Sequence, residues 1–333
     1  MKAKRGFGRL LLRLLAVLLA LALLLVAAFF LVPLTERGDR HTVAGSADWM
    51  AGLDDALPLS QITLPGSHDS ATQYVQLAFF SKCQSLSVTQ QLEAGCRYLD
   101  IRLGDVEPGE DYPKLKHGFT DCKLSVFGDA MHFNDLLREC YAFLAQHPTE
   151  TVIFAVKHEY GDEATAEFET EIDGFTSARP NFWLLTDTVP TLGEARGKLV
   201  LLRRYEDAAG LGERAGLSFN WRNQRGSEES WKTVAAEEQG GWTLWVQDRY
   251  EYAIDDKWDA FLLGMAEAKE QRGEGDVALH FLSTKGSAAY GHPYAFAREL
   301  NRRLLTQHSL DGWIVLDFFS APLAEHIYSA NFR

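Results

Sequence analysis

The sequence predicts an α/β domain of the (β/α)8 barrel type, preceded by an N-terminal transmembrane helix. Three observations predict this. Leu14–Val32 is a 19-residue run without a charge, and about 20 apolar residues span a bilayer as a helix. Short β-prone runs then recur eight times, with helical patterns between them, which is the signature of a parallel sheet. Seven of those eight runs end in charged or titratable residues, and in a barrel the strand ends are where an active site is built.

The N-terminal segment comes first. Lys2, Lys4, Arg5, Arg9 and Arg13 precede the apolar run, and no acid does. The run exceeds the 7–15 residues of a cleaved signal core, and no small-x-small site follows it; the best local candidate, Val26-Ala27-Ala28, lies inside it. Residues 1–34 therefore read as a signal anchor. The basic flank stays cytoplasmic and the remainder is exported; cleavage would instead give a secreted protein. Residues 35–54 read as a linker and 55–333 as one catalytic barrel, since no repeat or second composition break follows. The chain is 46% hydrophobic and 24% charged with a net charge of −13. Beyond the basic flank, 28 basic face 46 acidic residues. That excludes a nucleic-acid partner and strong electrostatic adsorption to anionic lipid. No protein partner is evident. Cys83, Cys96, Cys122 and Cys140 show no zinc-like spacing, and disulfides and isolated buried thiols both fit an exported chain.

The β-prone runs are Gln61–Leu64, Arg97–Leu103, the weak Lys114–Lys116, Val152–Val156, Leu199–Leu202, Leu244–Val246, Val277–Leu282 and Trp313–Leu316. Pro65 and Gly66 read as the break that ends the first. Helices are expected from an Asn134 N-cap to Pro148, over Asp255–Gln271, and over Tyr294–Gln307. No Gly-rich nucleotide fingerprint follows a strand, which weakens a doubly wound alternative.

Read to their ends, the runs deliver His68 and Asp69, then Asp100 and Arg102, then His117, Lys157, Arg203 with Arg204, Asp248 with Tyr250, and Asp317. Asp100 and Arg102 share a strand face because side chains alternate. Only the seventh run is quiet, with Ser283 and Thr284. Two histidines with Arg, Lys and carboxylates suit phosphoryl chemistry without a metal. One histidine takes a proton from an attacking hydroxyl and the other gives one to the leaving oxygen, while the cations hold the phosphate. Carboxylates fix the histidine tautomers.

These residues carry a specific resemblance. LPGSHDSAT, RYLDIRL, KHG, VIFAVKHEY, GKLVLLRRY, WVQDRY and WIVLDF occur in the order seen in bacterial phosphatidylinositol-specific phospholipase C, and the likeness spans about residues 55–333. The resemblance implies a distorted TIM-type barrel and a lyase that releases diacylglycerol and inositol 1,2-cyclic phosphate from phosphatidylinositol or a related inositol lipid at a membrane surface. It implies that His68 is the general base and His117 the general acid. Asp317 supports His68, Asp69 assists His117, Asp100 supports the phosphate centre and Arg102 binds the phosphate. Lys157, Arg204, Asp248 and Tyr250 correspond to head-group contacts, with Tyr250 beneath the inositol ring. Metal-dependent relatives hold calcium with a carboxylate where Arg102 stands, so the match implies an enzyme without a metal or other cofactor. The alternatives are a metal-dependent glycerophosphodiester or sphingomyelin-type phosphodiesterase and a non-catalytic, membrane-tethered inositol-lipid or glycan binding module. The N-terminal anchor departs from familiar, secreted members. Among the tryptophans, Trp245 and Trp258 are expected in the core, while Trp221 and Trp231 are candidates for a lipid interface.

Overall fold

The computed structural model describes residues 2–225, 235–239, 241–287 and 291–333. In chain order the strands are β1 (Leu64–Ser67), β2 (Tyr98–Gly104), β3 (Lys116–His117), β4 (Thr120–Asp121), β5 (Val152–Tyr160), β6 (Trp183–Leu184), β7 (Leu199–Arg203), β8 (Leu217–Ser218), β9 (Ala235–Glu238), β10 (Thr243–Gln247), β11 (Val277–Phe281) and β12 (Trp313–Leu316). The helices are α1 (Lys2–Thr35), α2 (Ala78–Ser81), α3 (Val88–Glu93), α4 (Phe133–Gln146), α5 (Thr165–Ser177), α6 (Leu192–Ala195), α7 (Ile254–Gln271), α8 (Pro293–Leu304) and α9 (Ala321–Tyr328).

Ten strands form one curled sheet in the order β6-β7-β5-β2-β1-β12-β11-β10-β9, with β8 paired beside β6 on β7. All pairs are parallel except β9 against β10. Buried on both faces, the strands read as continuous apolar runs such as Val152–Val156 and Trp313–Leu316. The ladder does not close. Among the described residues, β8 and β9 are joined instead by side chains: Ser218 Oγ and the Asn220 carbonyl each bond Gln239, at 2.8 and 2.7 Å. The barrel is thus distorted, with a seam between β8 and β9.

Two strand expectations change. Gln61 belongs to a short 3-10 turn, Leu59–Gln61, and β1 begins only at Leu64. Pro65 and Gly66 are therefore inside the strand, not its end. Gly66 is needed there because a Cβ would lie 2.8 Å from Tyr98 Cβ on the neighbouring β2. The Lys114–Lys116 run is not a barrel strand; Lys116–His117 pairs antiparallel with Thr120–Asp121 in a separate hairpin. Leu115 is buried and bridges Leu103 on β2, but that pairing is confined to a single bridge.

The stretch expected as a linker is largely docked. Trp49 and Met50 are buried in the main core. Trp49 Nε1 donates to the Gly95 carbonyl at 3.0 Å and its ring stacks on Tyr328 at 5.0 Å. Arg97, fully buried, pairs with Glu150 at 2.8 Å and donates to the Ala47 carbonyl at 2.7 Å. This pair ties the segment beneath the barrel. α4 begins at Phe133, with His132 rather than Asn134 as its cap; the His132 N–H bonds Asp135 Oδ2 at 2.9 Å. All four cysteines are buried free thiols.

Phe7–Thr35 of α1 contains an 18-residue window of mean hydropathy 3.2 and is long and apolar enough to cross a membrane.

Candidate active site

The strand ends converge on a cleft of about 900 Å³. His68, Asp69, Arg102, His117, Lys157, Arg204, Asp248, Tyr250 and Asp317 all line it. Asp100 lies beneath them, 1% exposed. The sequence-derived site residues are therefore brought together at one end of the barrel.

β1 and β12 run side by side in register, so His68 and Asp317 emerge together one residue past each strand. His68 Nδ1 donates to Asp317 Oδ1 at 2.7 Å. Arg102 Nη2 donates to His68 Nε2 at 2.8 Å. In the neutral ring these contacts put Nδ1–H toward Asp317 and the Nε2 lone pair toward Arg102. Burial disfavours charge on His68, but Asp69 and Asp317 outweigh it and carry the pKa up to about 9. The ring is a strong base whose basic nitrogen already faces the cation.

On the opposite side, His117 Nδ1 meets Asp69 Oδ2 at 2.8 Å, leaving Nε2 for a substrate. Gly118 follows with a φ of +54°, which lets the chain turn at once into the β3–β4 hairpin. Asp69 adopts a φ of +43° and Phe318, just after Asp317, a φ of +51°. Left-handed backbone in a bulky residue such as Phe318 is strained, and such strain persists where surrounding structure holds it. Phe318 N is held by the Cys83 carbonyl at 2.6 Å.

Arg102 lies between the histidines and is wrapped in carboxylates. Its Nε is 2.9 Å from Asp69 Oδ1, its Nη2 3.0 Å from Asp100 Oδ2 and its Nη1 3.1 Å from Glu159 Oε1. Arg204 Nη1 bonds the other Asp100 oxygen at 2.9 Å. Burial would raise the pKa values of Asp69 and Asp100; Arg102 outweighs it at both, joined by the histidines at Asp69 and by Arg204 at Asp100, and both stay ionised well below the usual carboxylate range.

The recognition side is aromatic. The Arg204 guanidinium lies 3.8 Å from the centre of the Trp221 ring. Trp221 Nε1 donates to Asp248 Oδ2 at 3.1 Å. Tyr250 OH donates to Asn223 Oδ1 at 2.7 Å. Trp221 is thus a cleft wall rather than a lipid-facing residue, because Arg204 and Asp248 fix both its face and its edge. Trp245 and Trp258 pack at the core as expected. Trp231 lies outside the described residues.

Three residues escaped the sequence reading. Glu159 binds Arg102, accepts from Lys157 Nζ at 2.6 Å and from Gly118 N at 3.2 Å. Its signal was the alternation Lys157-x-Glu159, which continues β5 past its apolar part. Buried Gln84 donates to the carbonyls of His68 and Leu316 at 2.7 and 2.8 Å and accepts from Phe319 N at 3.0 Å. It clamps the ends of β1 and β12, and no sequence pattern marks it. Cys83 Sγ lies 3.9 Å from His117 Nδ1 and 4.0 Å from Asp69 Oδ2. Burial first, then Asp317 and Asp69, push its thiol well up, so it is a neutral packing group here.

Ligand atoms of Asp69, Cys83 and His117, and of His68, Cys83 and Asp317, approach within 4.8 Å of one another, as do those of Asp105, His158 and Glu163 away from the cleft. In the cleft, the carboxylates best placed for a hard cation are already occupied by Arg102.

A family model described as phosphatidylinositol-specific phospholipase C, X domain, matches residues 56–205. The 1-phosphatidylinositol phosphodiesterase of Staphylococcus aureus (strain Newman) is 26% identical over 292 residues, covering 81% of this chain and 88% of that protein. A solved structure of the S. aureus phosphatidylinositol-specific phospholipase C superposes with a TM-score of 0.71 at 23% identity, covering 86% of this chain and 98% of the other. The corresponding structure from Listeria monocytogenes gives a TM-score of 0.63 at 20% identity, with 86% and 98% covered. The structural likeness establishes the fold, a TIM-type barrel.

Proposed function

We propose that this chain, which belongs to the phosphatidylinositol-specific phospholipase C X-domain family through residues 56–205, cleaves phosphatidylinositol to diacylglycerol and inositol 1,2-cyclic phosphate. One observation carries the residue roles. The cleft holds two histidines on either side of one guanidinium, each histidine with its own carboxylate at 2.7 and 2.8 Å.

The chemistry follows from that arrangement. His68 Nε2 takes the proton of the inositol 2-hydroxyl. The freed oxygen bonds to phosphorus, and the bond from phosphorus to the glycerol oxygen breaks. His117 gives that oxygen its proton, so diacylglycerol leaves neutral. Two such transfers contribute about 10²–10⁴ in rate each. Arg102 offsets the charge that grows on the phosphate oxygens, and Asp69, Asp100 and Glu159 fix its orientation. As a bidentate cation that cannot deprotonate, it serves where a metal ion would otherwise act. That favours a metal-independent reaction over the metal-dependent phosphodiesterase alternative. Lys157, Arg204, Asp248 and Tyr250 would contact the head group.

We take α1 to support a membrane-anchored protein with an exported catalytic domain: its uncharged stretch from Leu14 to Leu34 exceeds a cleavable signal core. Mass measurement of the membrane-bound protein should return the uncleaved N-terminus; a species beginning after the apolar run would make it a secreted enzyme.

The full chain in detergent, given a panel of phospholipids, should release a cyclic inositol phosphate from phosphatidylinositol and nothing from phosphatidylcholine or sphingomyelin. Release of phosphocholine, or no turnover of any inositol lipid, would remove this function.

A further inference from the structure

α1 does not leave the domain through a free tether. Phe29 packs against Phe79 and Phe80, with ring centres 4.7 and 5.4 Å apart. Lys82 Nζ donates to the Pro33 and Glu36 carbonyls at 2.7 and 3.2 Å. Glu36 meets His292 Nε2 at 2.5 Å, and His292 stacks on Phe79 at 4.1 Å. The last turns of α1 are thereby fixed to α2 and to the start of α8. Both border the cleft: Leu77, Phe80, Ser81 and Pro293 line it.

This docking sets a depth. The uncharged stretch from Leu14 to Leu34 rises about 30 Å at about 1.5 Å per residue, matching the hydrocarbon thickness of a bilayer. Phe29, five residues before its end, lies roughly 7 Å inside the boundary on the same rise. Phe79 and Phe80, packed on it, share that depth. The neighbouring rim is apolar and unpartnered by protein: Leu77 is 51%, Phe119 64% and Phe127 96% exposed. The loop bearing the two phenylalanines is bonded to the segment before α2, through Gln76 N to the Asp121 carbonyl at 3.0 Å and Lys123 N to the Tyr74 carbonyl at 2.7 Å. Rim and anchor therefore form one continuous surface.

We infer that α1 and this rim are a single lipid-facing surface that holds the mouth of the cleft at the head-group layer of the bilayer α1 crosses, so that the enzyme turns over lipid of its own membrane. What is cleaved rests on the function proposed above; where the mouth points rests only on the uncleaved anchor proposed there. The inference also accounts for the charge. A domain with 28 basic and 46 acidic residues is repelled by anionic lipid, and a docked anchor makes adsorption unnecessary by raising the local substrate concentration.

The test uses the full chain in phosphatidylcholine vesicles carrying phosphatidylinositol, mixed with protein-free vesicles whose inositol is deuterated. Unlabelled product should appear about tenfold faster than deuterated product. The Phe29→Ala/Lys82→Ala double variant keeps the tether but loosens the dock. Its rate on its own vesicle should fall several-fold, with turnover of detergent-dispersed phosphatidylinositol unchanged. Equal release from both vesicle populations, or an own-vesicle rate indifferent to the double variant, would overturn the inference. A second readout needs no catalysis. Nitroxides are placed at Leu77→Cys and, at the far end of α8, Leu305→Cys; the four native thiols are buried. The Leu77 label should collide with oxygen as a lipid-embedded probe does, and the Leu305 label with an aqueous relaxant. Equal aqueous exposure of the two would place the mouth away from the membrane. Silence toward detergent-dispersed phosphatidylinositol would remove the substrate reading alone, and the labels would still decide the orientation.

Discussion

On the wall of the cleft built by β1, β2 and β5, every carboxylate already holds a cation. Asp69 holds His117 and Arg102, Asp100 holds Arg102 and Arg204, and Glu159 holds Arg102 and Lys157. On the wall that follows β7 and β10, the polar groups rest on rings and amides instead: Arg204 on Trp221, Asp248 on the Trp221 N–H, Tyr250 on Asn223. The first wall lies within the segment matched as the X domain, residues 56–205, with Asp317 as its one outside contributor. The second lies mostly beyond it. A buried ionic array costs desolvation and is worth holding only where charge must be in place before the substrate arrives. An aromatic wall can take a neutral, hydroxylated ring with little reorganisation. Under the proposed function, the first wall is the reaction wall and the second the recognition wall.

Five substitutions can break or sharpen that division. His68→Ala and His117→Ala should each cut kcat by at least about 10²–10⁴ in initial-rate assays while leaving the fold intact by circular dichroism. Near-normal turnover in either would remove that residue from the mechanism. Arg102→Met should also abolish turnover, and in chemical denaturation it should lose roughly 3–5 kcal/mol, because it strips a cation from three buried or half-buried carboxylates. Lys157→Met, at a more exposed ion pair, should cost less than about 1 kcal/mol. Equal costs would deny that the Arg102 array is special. Tyr250→Ala should raise KM about tenfold, equivalent to about 1.4 kcal/mol of binding, with kcat little changed. A fall in kcat alone would move Tyr250 to the reaction wall.

The smallest effect concerns protonation. His68 should titrate near pH 9 by NMR, above its ordinary 6.5. Asp317→Asn removes one of the two carboxylates that raise it, so its titration should move down. A folded pKa above the unfolded one means the His68 ion pairs stabilise the fold fully below pH 6.5 and lose that contribution as pH rises through about 9. The variant should flatten that loss. An unchanged titration would mean that Asp317 only orients the ring.

How much of this was legible in the sequence depends on what held each residue in place. Asp100 with Arg102, and Asp317 after Trp313–Leu316, were readable because apolar strands end abruptly in charge and side chains alternate. Glu159 was not, because a polar extension of β5 looks like a loop unless its partner Arg102 is known. The third β run was misplaced for the converse reason: Lys114–Lys116 buries only Leu115, makes a single bridge to β2 there, and runs on into a local hairpin. Trp49 and Met50 were assigned to a linker because single apolar residues in a polar stretch carry no period; their burial is set by Arg97 and Glu150, far along the chain. The open seam between β8 and β9 likewise depends on side-chain bonds at Gln239 that no pattern announces. Trp221 was placed at the lipid because aromatic residues in polar loops often lie there, whereas a cation and a carboxylate hold it in the cleft.

The central claim is that two histidines and an arginine do the work of acid, base and metal. The direct measurement is phosphorus NMR of the full chain turning over detergent-dispersed phosphatidylinositol in excess chelator. The account predicts an undiminished rate and a cyclic inositol phosphodiester as the first product. Loss of turnover that calcium restores, or a linear phosphate formed with no cyclic species before it, would contradict it.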